Sequence, residues 1–239
     1  ALNHFGWEME SEFDLTKAYE RAVAADYHIH RTVRHRSSHS VYLFDPDGNA
    51  HEFYADVDKD WRGLYASKET ISGEWRPGQK PPAMDRRYHE DPDIRRDENA
   101  LIHPNRITHT VLIARDFDAM RQFFRKIAGL LEIYEREGVA VFSTHASNYP
   151  AALVLLKAEH GARKQVHHVS FEVSDEADLL KSEQALRSKG IAVDAIADCA
   201  HKRSFFIRDP DGMGLEFYVR RHPEILWDSL STETFARDV

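Results

Sequence analysis

Apolar and polar residues alternate along the end of this chain in a way that predicts one compact unit. In His168-Val169-Ser170-Phe171-Glu172-Val173 every second residue can face a core, the period of a half-buried strand. An amphipathic helix is predicted next, roughly from Ala177 to Lys189, with Leu179, Leu180 and Leu186 as its apolar stripe and Gly190 as its stop. Short strands follow around Ala192 to Ile196, Ser204 to Arg208 and Leu215 to Val219, and Asp209-Pro210-Asp211-Gly212 makes the tight turn between the last two. The unit reads β-α-β-β-β.

The same pattern opens the chain. Leu2 to Tyr54 aligns without gaps on Val166 to Tyr218, and the offset of 164 pairs His4 with His168, Glu8 with Glu172 and Glu52-Phe53-Tyr54 with Glu216-Phe217-Tyr218. The turn repeats as Asp45-Pro46-Asp47-Gly48. A more divergent third copy lies between them. Its opening strand is Ile107 to Ile113, its helix Phe117 to Ile127, and its later strands Val139 to Ser143 and Ala151 to Leu156.

The fold class this predicts is α+β, with repeated β-α-β-β-β units paired into open, cleft-forming sheets. Residues 1–58 read as a single unit, a remnant or part of an N-terminal domain, and 59–106 as a connecting segment. Residues 107–221 read as a metal-binding domain of two units, and 222–239 as a tail that docks on a neighbour. The connection is rich in Trp, Pro and charge, with five of the nine prolines between Trp61 and Asn105.

Composition narrows the function. With 42% hydrophobic and 30% charged residues the chain is globular rather than disordered. A net charge of −8 argues against a nucleic-acid partner. No apolar run reaches the length of a membrane span, and no secretory segment opens the chain, so a cytoplasmic address and no membrane partner are expected. Cys199 is the only cysteine, which excludes an internal disulfide and makes a thiolate cluster implausible.

The 15 histidines direct attention to metal chemistry. A lone strand histidine is usually a surface or satisfied core residue. His109, His168 and Glu216 instead occupy equivalent repeat positions of the middle and last units, from which they can converge on one cleft. Two neutral imidazoles and one carboxylate suit Fe(II) first, with Mn(II) or Zn(II) as alternatives. Glu216 lies in an apolar context, where a carboxylate needs a partner to stay ionised. His4 and Glu52 offer a lower-ranked second site, and His28, His30, His35 and His39 read as alternating residues of a solvated strand.

Three stretches carry a resemblance: Thr108-His109-Thr110-Val111-Leu112, His167-His168-Val169-Ser170-Phe171, and Arg208 through Tyr218 around the Asp-Pro-Asp-Gly turn. They resemble the metal-binding strands of the vicinal-oxygen-chelate (glyoxalase/bleomycin resistance/dioxygenase) superfamily, and within it most resemble type I extradiol ring-cleavage dioxygenases. That resemblance implies cleavage of a catechol-type aromatic substrate with dioxygen at Fe(II). Those enzymes have four units where three are counted here, and this chain opens at Ala1 directly on a first strand. The expectation is that a preceding unit is missing, or that the first unit pairs with another subunit in a homo-oligomer.

Two positions depart from the dioxygenase pattern. The family's acid-base histidine is replaced by Tyr149, with His145 nearby, and these residues together with His201 are the candidates for orienting substrate or moving protons. The family's tyrosine ten residues before the metal glutamate is Phe206 in the last unit, whereas the first unit keeps Tyr42 ten before Glu52. The resemblance therefore also admits a metal-dependent lyase, isomerase or epimerase, in which the metal stabilises an enediolate. A non-catalytic small-molecule binding protein is the alternative from a different class.

Overall fold

A computed structural model describes residues 2–58, 63, 73–85, 97–144, 151–159, 165–222, 224–225, 227–231 and 234–239. It contains two sheets, and the chain divides into two compact units. One comprises Ala1–Ile94 with Gln122–Gly129, the other Arg95–Arg121 with Leu130–Val239.

The first unit holds a four-stranded sheet in the order β1-β4-β3-β2, made of β1 (Phe5–Glu8), β2 (Arg31–Arg34), β3 (Ser38–Phe44) and β4 (Ala50–Asp56). The strand β1 runs parallel to β4, a pairing that requires a crossover, and the helix Glu12–Ala24 provides it. Ser11 caps that helix by accepting from the Asp14 amide, and Leu15, Ala18 and Ala22 are its buried stripe. Its repeat counterpart, Glu176–Ser188, is capped in the same way by Asp175 from the Asp178 amide, and buries Leu179, Ser182 and Leu186.

The second unit carries an eight-stranded sheet in the order β10-β11-β12-β9-β5-β8-β7-β6. Its strands are β5 (Pro104–Ala114), β6 (Leu131–Arg136), β7 (Val139–Ser143), β8 (Leu153–Lys157), β9 (Gln165–Val173), β10 (Ala195–Asp198), β11 (Lys202–Arg208) and β12 (Gly214–Arg220). The opening strands of the two repeats, β5 and β9, lie antiparallel at the centre, so the middle and last repeats join into one sheet. Both Asp-Pro-Asp-Gly turns close alike, with Gly48 and Gly212 at positive φ (77° and 84°) and their amides bonded to the carbonyls of Asp45 and Asp209. Gly214 has a different reason to be glycine: a Cβ there would lie 2.5 Å from the His167 carbonyl oxygen, so its absence lets β12 close on β9 beside His168.

The structure revises two sequence expectations. The strand β6, not located in the sequence, completes the β-α-β-β-β order of the middle copy. The helix expected over Phe117 to Ile127 is an α-helix only to Gln122 and then a π-helical turn, Phe123–Ala128. That turn belongs to the first unit, where Phe124 packs against Trp7 and Phe123 against Tyr27 and His51. The wider π turn lets two consecutive phenylalanines both bury their rings. The histidines read as one solvated strand are not on one strand: His28 and His30 precede β2, His35 follows it, and His39 lies on β3, stacked on buried Trp75 and bonded to Glu12. Half of the connecting segment lies outside the described residues.

The segment after Arg221 packs within its own unit. Ile225, Leu230, Phe235 and Val239 join Val111, Val139, Val141, Val154 and Tyr218 in one buried cluster. Tyr134 stacks on Trp227 and Phe235, and Arg136 donates to the Leu230 carbonyl. No helix among the described residues is long and apolar enough to cross a membrane.

Candidate metal centre

Strand register explains how distant residues meet. Glu216 on β12 pairs with Ser170 on β9, and Ser170 pairs in turn with His109 on β5, so the three form one row across adjacent strands. His168 lies two residues before Ser170 and therefore points to the same face. The result is the convergence expected from the repeat: His109 Nε2 lies 3.8 Å and His168 Nε2 3.6 Å from Glu216 Oε2. One ligand atom from each of the three lies within 4.8 Å of the others, and all three residues are buried.

The smaller contacts prepare these atoms. The Ser170 hydroxyl donates to Glu216 Oε2 at 2.7 Å and lies 3.0 Å from His109 Nε2. His167 Nδ1 is 2.7 Å from His168 Nδ1, which fixes the His168 ring with Nε2 facing the cluster. That Nε2 is buried and has no hydrogen-bond partner among the described residues. A buried orphan nitrogen aimed at a second imidazole and a carboxylate is the arrangement a divalent cation satisfies, so the donor set fits a metal.

Burial lowers the His109 pKa to about 3, with nearby Lys202 and His168 adding to the effect and Glu216 opposing it. The ring is therefore neutral, the form that ligates. Burial by itself would raise the Glu216 carboxyl, but the Lys202 ammonium, helped by His168 and His109, holds it well below the usual carboxylate range.

Lys202 was missed in the sequence. Its side chain is 1% exposed, its Nζ donates to Glu216 Oε1 at 2.6 Å, and it also donates to the Val239 main-chain oxygen. The available signal was its place on β11 two and four residues before Ser204 and Phe206, hence on the face that carries the site. Ser170 was likewise unmarked.

His201 is not brought into hydrogen-bond contact with the triad among the described residues. Its Nε2 meets the Asp238 main-chain oxygen and its Nδ1 lies 3.6 Å from Cys199 Sγ. Tyr149 and His145 lie outside the described residues. The second pair does meet: His4 Nε2 is 2.9 Å from Glu52 Oε2, and the Tyr42 hydroxyl donates to Glu52 Oε1 at 2.5 Å. His35 Nε2 stands 3.6 Å from that same Oε1.

The model of the Glyoxalase/Bleomycin resistance protein/Dioxygenase superfamily matches residues 1–53 and 106–217. The chain belongs to this superfamily. Within it, 118 residues are 25% identical to biphenyl-2,3-diol 1,2-dioxygenase 2 of Rhodococcus globerulus, a match covering 48% of this chain and 62% of that protein. Among solved structures, the Mn(II)-bound glyoxalase of Novosphingobium aromaticivorans superposes with a TM-score of 0.63 at 15% identity, covering 91% of this chain and 62% of the other. Homoprotocatechuate 2,3-dioxygenase of Arthrobacter globiformis superposes at 0.62 and 16% identity, covering 100% and 69%. At such identities the structural likeness concerns the fold. The chain spans less than two thirds of the length of the first two of these superfamily members.

Proposed function

We propose that this chain is a metal-dependent extradiol dioxygenase that cleaves a catechol-type aromatic substrate with dioxygen, its Fe(II) held by His109, His168 and Glu216. The observation that carries this reading is the orphan Nε2 of His168, buried and facing Glu216 Oε2 and the His109 ring. The metal supplies Lewis acidity, which makes a catechol hydroxyl acidic near neutral pH, and the redox capacity that reaction with dioxygen needs.

The chain's own residues do the rest. Burial keeps His109 neutral and ready to ligate at any pH near 7. Ser170 fixes one carboxylate oxygen of Glu216, and His167 fixes the His168 ring. The apolar wall of Val111, Val141, Val154 and the Tyr218 ring excludes water from one side of the row. Proton transfer is assigned to Tyr149 and His145, and His201 anchors the segment ending at Val239 through Asp238.

One observation favours a second reading, a lyase, isomerase or epimerase. The residue paired with Glu216 across β11 and β12 is Phe206, which has no hydroxyl to offer a substrate oxygen. Anaerobic reconstitution with Fe(II), followed by oxygen uptake against a panel of catechols, separates the two. Uptake in the wild type that vanishes in His168→Ala is expected. Stoichiometric Fe(II) binding at the triad with no uptake on any catechol would rule out the dioxygenase and leave the second reading.

A further inference from the structure

Resting on the triad reading, one feature of the last unit remains without a role in it. Lys202 is a fully buried ammonium in direct contact with the carboxylate assigned to a metal. A buried charge persists only when it is paired and its hydrogen bonds are met. Lys202 achieves this with Glu216 Oε1 at 2.6 Å and the Val239 oxygen, while its Nζ stands 5.7 Å from the Tyr218 ring centroid. The equivalent position in the first unit, by the 164 offset, is Ser38, which carries no charge. There Glu52 Oε1 takes its hydrogen bond from the neutral Tyr42 hydroxyl instead.

We infer that Lys202 is the built-in counter-cation of the triad, that a divalent metal enters only by displacing its ammonium from Glu216, and that this displacement releases the segment ending at Val239. The reason is like-charge repulsion. An ammonium 2.6 Å from one carboxylate oxygen and a divalent cation on the other would be a few ångströms apart in a site closed to water, where neither charge is screened. The lysine must leave, and because the same Nζ holds the Val239 oxygen, its departure removes an anchor of the segment that packs Phe235 and Val239 into the core. Metal uptake and the docking of residues 227–239 are thus opposed through one side chain.

The test uses the whole chain, wild type and Lys202→Met, titrated with Mn(II) and followed by the spectrum of the free ion. Only binding that disappears in His168→Ala is counted. Lys202→Met keeps the length of the side chain without its charge, and it should bind Mn(II) at least about tenfold more tightly than the wild type. A second measurement needs no variant: acetic anhydride should leave Lys202 unmodified in metal-free wild type and acetylate it once Mn(II) saturates, while amide exchange accelerates across Trp227–Val239. Equal affinity in the two chains, or a Lys202 that stays protected with Mn(II) bound, overturns the inference and leaves the triad standing. Absence of any His168-dependent Mn(II) binding in both chains overturns the triad as well.

Discussion

Glu52 and Glu216 occupy the same place in two copies of one motif, and their surroundings have diverged. Each lies on the last strand of its repeat, paired on one side with the opening strand (Gly6 for Glu52, Ser170 for Glu216) and on the other with the preceding strand (Tyr42 and Phe206). Around Glu52 the partners are a neutral tyrosine and two imidazoles, and the Glu52 side chain keeps 14% of its exposure. Around Glu216 the tyrosine has become a phenylalanine, a lysine has taken its hydrogen bond, a second strand brings His109, and exposure is zero. Register preserves where a carboxylate stands. What it can do depends on which other strand reaches it.

If the closed row of the second unit is the metal centre, the largest contrast is in metal content. His168→Ala should lower affinity for the bound ion by more than about a hundredfold, since a ligand outweighs the groups that merely orient one, while His4→Ala leaves metal per chain unchanged. Elemental analysis after dialysis checks both. Loss only in His4→Ala would move the site to the first unit, where Tyr42 would be the proton donor.

The next contrast is in stability. Glu216→Ala strands the Lys202 ammonium in the core and should cost about 3–5 kcal/mol. Glu52→Ala, at a partly wet site, should cost about 1–2 kcal/mol. Urea unfolding of the metal-free variants measures the two, and equal costs would show that Lys202 finds other partners.

The smallest contrast appears at alkaline pH. Burial and the neighbouring Glu52 carboxylate push the Tyr42 phenol above its ordinary range. A group whose folded pKa is raised contributes fully below its unfolded value, near 10 for tyrosine, and its contribution fades as the pH climbs beyond that. Wild type should therefore exceed Tyr42→Phe by about 1 kcal/mol at pH 8 and lose that margin above about pH 10. A margin that holds constant across that range would mean that the hydroxyl does not titrate with unfolding.

Much of this was legible in the chain. The gapless repeat fixed the topology because period-two strands, a capped amphipathic helix and an Asp-Pro-Asp-Gly turn are local signals, each set by residues within a few positions of one another. The triad was legible for a related reason: equivalent positions in repeated units take equivalent places in repeated strands. The π turn at Phe123 was not, because its geometry answers to Tyr27, Trp7 and His51 far away in sequence. Lys202 was legible only in part: its spacing from Ser204 and Phe206 put it on the face of the site, but a lysine at a strand start reads as a solvated end.

By itself, then, the sequence determined the β-α-β-β-β unit and its repetition, and it marked His109, His168 and Glu216 as residues that converge. Only the tertiary structure decided that Ser170 stands in the row between them, that His168 Nε2 has no hydrogen-bond partner among the described residues, and that the ammonium of Lys202 is closed in against Glu216 beneath Val239. The division has a physical cause. Periodicity and turn chemistry act along the chain and are written in neighbouring residues, whereas the burial of a charge depends on segments 14 and 37 residues from Lys202 meeting at one point, and desolvation is felt only where they meet.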